Sequence, residues 1–265
     1  MTVPVTLYDQ PIPVPFEPPL LNPAPIGLYA ATTWTEIAAN SPSRHLNGVE
    51  VRPVGNYAGH GQSGIWPNDS CATGTEPDPL LRKEGLRAAG LDPFESVTVW
   101  AYDECDLTEP SREEVQSRAL QIMRLEEQVA VEREFAERMK ADAGVIDQTA
   151  DSFKLAVGYL EGALALTNTV GYFHAGAQWA SQEFGLVIKS GTRWVSPLGH
   201  TWVFGGGYVD GLENVIIATS PTYGWRDQVQ LRSAIDERRN TFAAVAERTV
   251  LVGYEQLIAA VEIAA

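Results

Sequence analysis

The chain has 265 residues, 45% hydrophobic and 20% charged, with a net charge of −15. Such a chain has ample material for a core. It contains no apolar run of the ~18 residues a membrane span needs, and residues 1–10 lack the basic stretch and apolar core of a signal peptide, so synthesis in a cytoplasm is expected. The acidic balance argues against tight nucleic-acid binding, which needs Lys and Arg to displace counterions; residues 1–43 contain neither.

Residues 1–25 hold eight of the seventeen prolines. Each fixes its own φ and extends its predecessor, so this segment is not a helix. Its apolar side chains, among them Val3, Val5, Leu7, Tyr8, Ile12, Val14, Phe16, Leu20 and Leu21, are too many for a solvated linker. The segment reads as an extended arm that needs a surface to lie on. Val49, Val51 and Val54 suggest a strand that Pro53 confines to an edge or an end, and Val97–Tyr102 reads as a better one. Between them, residues 55–93 form a turn-rich excursion, with a short helix expected within 78–90. Loops of this length in compact domains are usually functional or disordered.

Residues 111–142 read as one helix. Ser111 and Glu114 have capping-box spacing, Gly144 follows the end, and Glu114/Arg118 and Glu134/Arg138 have ion-pair spacing. Thirty-two residues span about 48 Å, whereas a compact globule of this chain length is about 47 Å across, so the molecule is expected not to be a globule. The apolar stripe shifts from Val115, Ala119, Ile122, Leu125 and Val129 to Val131, Phe135 and Met139. Either the helix breaks or its halves contact different bodies. Beyond Gly144 the pattern is mixed. Helices are expected over 152–167 and 175–184, the second burying Trp179 and Phe184, and strands over 201–204, 215–219 and 229–231. Residues 235–248 are ambiguous between loop and helix, and two β-like runs, 249–252 and 257–263, end the chain.

The search for chemistry finds little. Gly61-Gln62-Ser63-Gly64-Ile65 departs from a nucleophile elbow at Ile65, and no clean strand precedes it. Gly205-Gly206-Gly207 lacks the Lys-Ser/Thr of a phosphate loop and reads as a turn or bulge using glycine's positive φ. His45, His60, His174 and His200 lack metal-ligand spacing, and His174 reads as a buried imidazole with one hydrogen bond. Asp103, Glu104 and Asp106 read as caps and solvated charge. Cys71 and Cys105 lie outside any Cys-x-x-Cys pair and read as buried thiols. No catalytic residue, metal site or cofactor is expected.

Five segments carry a resemblance: 94–105 leading into the long helix; Gly171-Tyr172-Phe173-His174-Ala175; 192–208 with Ser196-Pro197-Leu198-Gly199-His200-Thr201 and Gly205-Gly206-Gly207-Tyr208; Ala218-Thr219-Ser220-Pro221-Thr222-Tyr223-Gly224-Trp225-Arg226, where Ser220 stands for a glycine; and Ala246-Glu247-Arg248 before the terminal strands. In this order the chain, over about 94–265, resembles the major capsid proteins of tailed bacteriophages with the Hong Kong 97 fold, of the type found in phages of actinobacteria. The resemblance implies an α+β fold with an extended N-arm (1–47), an E-loop with flanking strands (48–103), a P-domain spine helix (104–150), a region that is mainly A-domain (151–214), and the A-domain remainder with closing P-domain strands (215–265).

It also implies a structural protein of the virion, assembled in a host cytoplasm, that forms hexamers and pentamers around packaged double-stranded DNA without sequence-specific binding. Scaffold, portal or decoration proteins would be further partners, and a membrane would not. The implied interface candidates are Trp66, Arg82, Lys83, Glu84 and Arg87 in the loop and Tyr8 and Phe16 in the arm. The lysine–asparagine weld of some relatives is not carried over, because Lys83 is the loop's single lysine and no acceptor asparagine aligns. The alternatives are an encapsulin-like compartment, a minor virion protein of the same fold, or an acidic two-domain α/β enzyme.

Overall fold

A computed structural model describes residues 14, 16–38, 45–57, 62–65, 83–87 and 89–264. In chain order, an extended segment leads to a helical turn α1 (Leu28–Ala31) and strand β1 (Thr33–Glu36). After the long excursion come β2 (Val97–Asp106), helix α2 (Glu109–Ala143), the short β3 (Thr149–Ala150) and helix α3 (Phe153–Thr167). Next are β4 (Tyr172–Gly176), β5 (Ile188–Ser190), β6 (Arg193–Val195), β7 (Thr201–Gly205) and the turn α4 (Tyr208–Gly211). The chain closes with β8 (Val215–Thr219), β9 (Thr222–Arg226), β10 (Gln230–Asp236), β11 (Thr241–Tyr254) and β12 (Leu257–Ile263).

The strands form two sheets. One has the order β1-β9-β11-β10, with β2 also on β11; the other runs β3-β12-β8-β4-β7-β6-β5. The last two strands therefore part company. Strand β11 belongs to the first sheet and β12 to the second, with the turn at Glu255 and Gln256 crossing between them.

Helix α2 is continuous over 35 residues, about 52 Å at 1.5 Å per residue. Its buried positions Val115, Ala119, Met123, Glu127, Val131, Phe135 and Met139 follow a strict four-residue spacing, joined by Glu132 and Ala136. Four residues advance 40° beyond a full turn, so this ridge winds around the helix rather than running along one side. The helix packs on β2 and β11 and also on α4 and β12. The helix does not break, and its buried apolar residues from Val115 to Met139 all line one core. Ile122 and Leu125, expected in the stripe, are partly exposed.

The second sheet is covered on both faces. Val203, Val215 and Ile217 join the core around α2, while Trp202, Phe204, Ile216 and Ala218 join the core under α3. There, Trp202 packs against Phe153, Phe173 and Phe204 with ring centroids 5.0–5.5 Å apart. A strand buried on both sides is apolar throughout and lacks alternation. This explains the misreading of 175–184: Tyr172–Gly176 is a central strand, followed by a 3-10 turn over Ala177–Ser181. Trp179 is partly buried on Phe153, but Phe184 is 90% exposed.

Five other expectations fail. Residues 241–248, rich in helix-forming Ala and Glu, are strand, because Phe242, Ala244 and Ala246 alternate into the core while β2 and β10 flank them. Residues 49–54 make a single bridge, Val49 to Phe94. The described part of 78–90 is not helical. The helix starts at Glu109 without a Ser111 cap. Instead Asp106 accepts from the Thr108 amide (2.9 Å) and hydroxyl (2.6 Å), and Ser111 lies against Cys105, which is exposed rather than buried. Cys71 lies outside the described residues.

Candidate assembly surfaces

Three ties fix the extended parts of the chain to its body. The first holds the arm. Gln121 Nε2 donates to the Leu21 carbonyl (2.8 Å), Arg124 to Asn22, and Gln128 Nε2 to the Ile26 carbonyl (2.8 Å), so the arm runs in the same direction as α2. At its end stand two buried carboxylates. Glu127 accepts Arg248 Nε at 2.6 Å and Nη2 at 2.7 Å, and the Tyr29 hydroxyl at 2.5 Å. Glu132 accepts the Leu28 amide, the Gly207 amide and Gln128 Nε2, each at 2.9 Å. Burial raises the Glu132 pKa, opposed by these N–H donors.

Glu132 also explains Gly205-Gly206-Gly207. None of the three has positive φ. A Cβ on Gly205 would lie 2.6 Å from the Glu132 carboxyl carbon, and one on Gly207 would lie 2.2 Å from the Val129 carbonyl oxygen. These glycines permit close approach to α2, not a left-handed turn. Their backbone does cradle an anion, which is the protein's own glutamate.

The second tie holds the root of the excursion. Glu255, in the crossing turn, accepts the Val54 amide (3.0 Å) and Asn56 Nδ2 (2.8 Å), and the Tyr57 hydroxyl donates to the Val170 carbonyl (3.2 Å). Ser220 shapes that turn, its hydroxyl accepting the amides of Glu255 (2.8 Å) and Gln256 (3.2 Å). The third tie holds the exit. The Arg138 guanidinium lies 4.1 Å over the Phe94 ring and donates to the carbonyls of Pro93 (2.9 Å) and Asp92 (2.6 Å). Asp142 binds Arg138 Nε through both oxygens at 2.9 Å and accepts the Tyr254 hydroxyl at 2.5 Å. Arg138 thus faces Asp142 rather than the expected Glu134, whereas Arg118 does meet Glu114 at 3.4 Å.

Of the interface candidates, Trp66, Arg82 and Tyr8 lie outside the described residues. Phe16 is exposed on the arm, and Lys83, Glu84 and Arg87 are exposed in the excursion. The described limbs 62–65 and 83–87 meet, with Gln62 Nε2 donating to the Leu86 carbonyl at 2.6 Å.

Glu127, Glu132 and Glu255 were missed from sequence, Arg138 was assigned another carboxylate, and Arg248 entered only through the resemblance. Arg248 lies mid-strand and Glu127 falls in the four-residue apolar ridge, and a charge at such a position is the signal.

Among the described residues, no group of three or more His, Cys, Asp or Glu is placed to hold a metal, and no helix is long and apolar enough to cross a membrane. The described residues 62–65, Ser63 among them, are neither strand nor helix. His174 is fully buried and makes two contacts rather than one, with the Tyr208 hydroxyl (3.2 Å) and the Thr219 hydroxyl (2.8 Å). Burial pushes its pKa down to about 3.

No protein-family model and no curated protein matches the sequence. Solved structures do. The virus-like particle protein of Pyrococcus furiosus aligns at TM-score 0.56 and 12% identity, over 89% of this chain and 91% of that one. The capsid protein of cyanophage P-SCSP1u aligns at 0.50 and 8% identity, over 97% and 92%. A protein of Microbacterium phage Oxtober96 aligns at 0.49 and 12% identity, over 97% and 95%. The chain has the Hong Kong 97 capsid fold.

Proposed function

We propose that the chain is the major subunit of a closed icosahedral shell, a bacteriophage head built from hexamers and pentamers around double-stranded DNA, and that it has no catalytic activity. One observation carries this reading. Over 89% of this chain and 91% of that one, the subunit has the fold of a protein described as a virus-like particle, and its arm and excursion are tied to the body while their apolar side chains Phe16, Leu20 and Leu86 face solvent. Such side chains gain stability only by covering another surface. Interfaces of that kind belong to the large obligate class.

The division into N-arm (1–47), E-loop (48–103), spine helix (104–150) and A-domain with closing strands (151–265) belongs to this proposal, as do scaffold, portal and decoration partners. The test is negative-stain microscopy of the expressed full chain. Closed particles of uniform size are expected. Deletion of residues 55–92, bridged by a short linker, is expected to leave a soluble subunit without particles. A monomeric wild-type chain, or intact shells from the deletion, refutes the assignment. Nucleic acid inside particles purified from infected cells separates a phage head from an encapsulin-like compartment with protein cargo.

A further inference from the structure

A cavity of about 260 Å³ lies where the arm, α1, α2, β9 with the residues after it, and β11 meet. Its apolar lining comes from Pro23 of the arm, Tyr29 of α1, Leu120 and Met123 of α2, and Val229 after β9. Met123 is buried, whereas Leu120 and Val229 are exposed. Three cations share this lining, Arg124 of α2, Arg226 of β9 and Arg248 of β11, with one carboxylate, Glu127. They are three of the nineteen Lys and Arg in a chain whose net charge is −15. A chain so acidic repels anions in general, so a hollow with gathered arginines stands apart from the rest of its surface.

The charges there do not cancel. Glu127 answers Arg248 through its two hydrogen bonds. Glu36 answers Arg226, accepting its Nε at 2.6 Å, and the Arg226 guanidinium is further held 4.5 Å from the centroid of the Trp34 ring and 5.5 Å from that of Tyr29. Arg124 is exposed and meets only the neutral Asn22 among the described residues, through Nη2. Three guanidinium groups therefore face two carboxylates, and one positive charge is left over. A guanidinium has five N–H donors in a planar fork that matches a carboxylate, and Arg124 uses one nitrogen on Asn22. An apolar hollow with a few charged groups converging on it is the pattern of a small-molecule site. Its volume is that of about nine waters, which suits a ligand of about ten heavy atoms.

We propose that this cavity binds a small amphiphilic monoanion, a carboxylate head on an apolar body, with the head on Arg124 and the body against Leu120, Met123 and Val229. The surplus of one cation selects a single negative charge, and the exposed apolar lining selects a molecule with a tail over a bare ion. The inference goes beyond the shell reading and does not depend on it. Because the arm, α2 and the first sheet all line the cavity, an occupant bridges them and stabilises the folded arm by mass action.

The test is isothermal titration of the purified full-length chain with octanoate. One saturable site per chain is expected, with a Kd of about 1 mM or tighter for a ligand of this size. Acetate has the head without the body, and 1-octanol the body without the head; each is expected to bind at least about tenfold more weakly. Arg124→Gln removes the surplus charge while keeping a donor for Asn22, and is expected to weaken octanoate about tenfold. Val229→Asp sets a carboxylate beside the head and is expected to abolish binding. Both positions are exposed, so both variants are expected to melt as wild type does without octanoate. Three results overturn the site: no saturable heat up to about ten times the expected Kd, 1-octanol bound as tightly as octanoate, or octanoate bound equally by wild type and Arg124→Gln.

Discussion

The pair Glu127–Arg248 offers the most direct test of the tie between arm, helix and sheet. Both side chains are largely buried, with 6% and 13% of their surface exposed, and they meet through two hydrogen bonds. Arg248→Leu removes the cation and leaves the Glu127 carboxylate in the core with only the Tyr29 hydroxyl. Stranding one member of a buried pair costs about 3–5 kcal/mol. For a chain of this size each kcal/mol moves the melting temperature by about 2–4 °C, so about 4 kcal/mol corresponds to roughly 8–16 °C. Replacing both members with apolar residues is usually close to neutral, so Glu127→Leu with Arg248→Leu is expected to recover most of the loss. Thermal melts of the unassembled subunit at fixed concentration read both. A single variant within about 2 °C of wild type, or a double variant no better than the single, refutes the claim that the pair works as a buried unit.

The glycines against α2 make a matched comparison. Gly207→Ala places a Cβ on the Val129 carbonyl oxygen, while the nearest atom to a Cβ on Gly206 is Val129 Cγ2 at 3.5 Å; Gly207→Ala is expected to cost at least about 2 kcal/mol more than Gly206→Ala in urea unfolding. His174 makes stability depend on pH. Its pKa is pushed down to about 3 in the fold and is near 6.5 in an unfolded chain. The unfolded state therefore binds the extra proton, and stability is lost as pH falls below about 6.5, by about 2 kcal/mol at pH 5. His200 is shifted in the same direction and Glu132 in the opposite one, so the measurement is the difference in slope between wild type and His174→Gln, which is expected to be flatter. Glu255→Ala frees the root of the excursion at Val54 and Asn56, and is expected to speed limited proteolysis within residues 50–60 severalfold with little change in global melting.

What could be read from the sequence depended on whether a local pattern survived its tertiary setting. Helix α2 was legible because its spacing and ion-pair positions are intrinsic to 35 residues of helix. Its buried glutamates were not, since their partners Arg248, Leu28 and Gly207 are 75 to 121 positions away in sequence. The first part of strand β11, 241–248, failed for the opposite reason, whereas 249–252 was read as β and is. Ala243, Ala244, Ala246 and Glu247 favour helix locally, and only pairing with β2 and β10 makes them strand. The triple glycine lacks the Lys-Ser/Thr of a phosphate loop, and its packing role needed the position of Glu132. Ser220, noted as a departure from the family's glycine, proved to hold the turn that anchors the excursion.

The ties also explain how so extended a subunit keeps one shape. Glu127, Glu132, Arg138 and Asp142 occupy a stretch of α2 of sixteen residues, about 24 Å, and between them they hold the arm, the first sheet, the glycine edge of the second sheet and the exit of the excursion. The first half of the helix carries mainly sheet packing through Val115, Ala119 and Met123. Apolar packing is non-directional and tolerates small sliding, whereas a buried bidentate ion pair or a carboxylate held by three N–H donors fixes position and angle. The exit of the loop and the end of the arm are therefore fixed at the second half of the helix, with Gln121 and Arg124 holding the arm in the first half, and a shift of α2 carries both with it. This concentration accounts for polar residues at ridge positions where sequence alone leads one to expect Leu or Val.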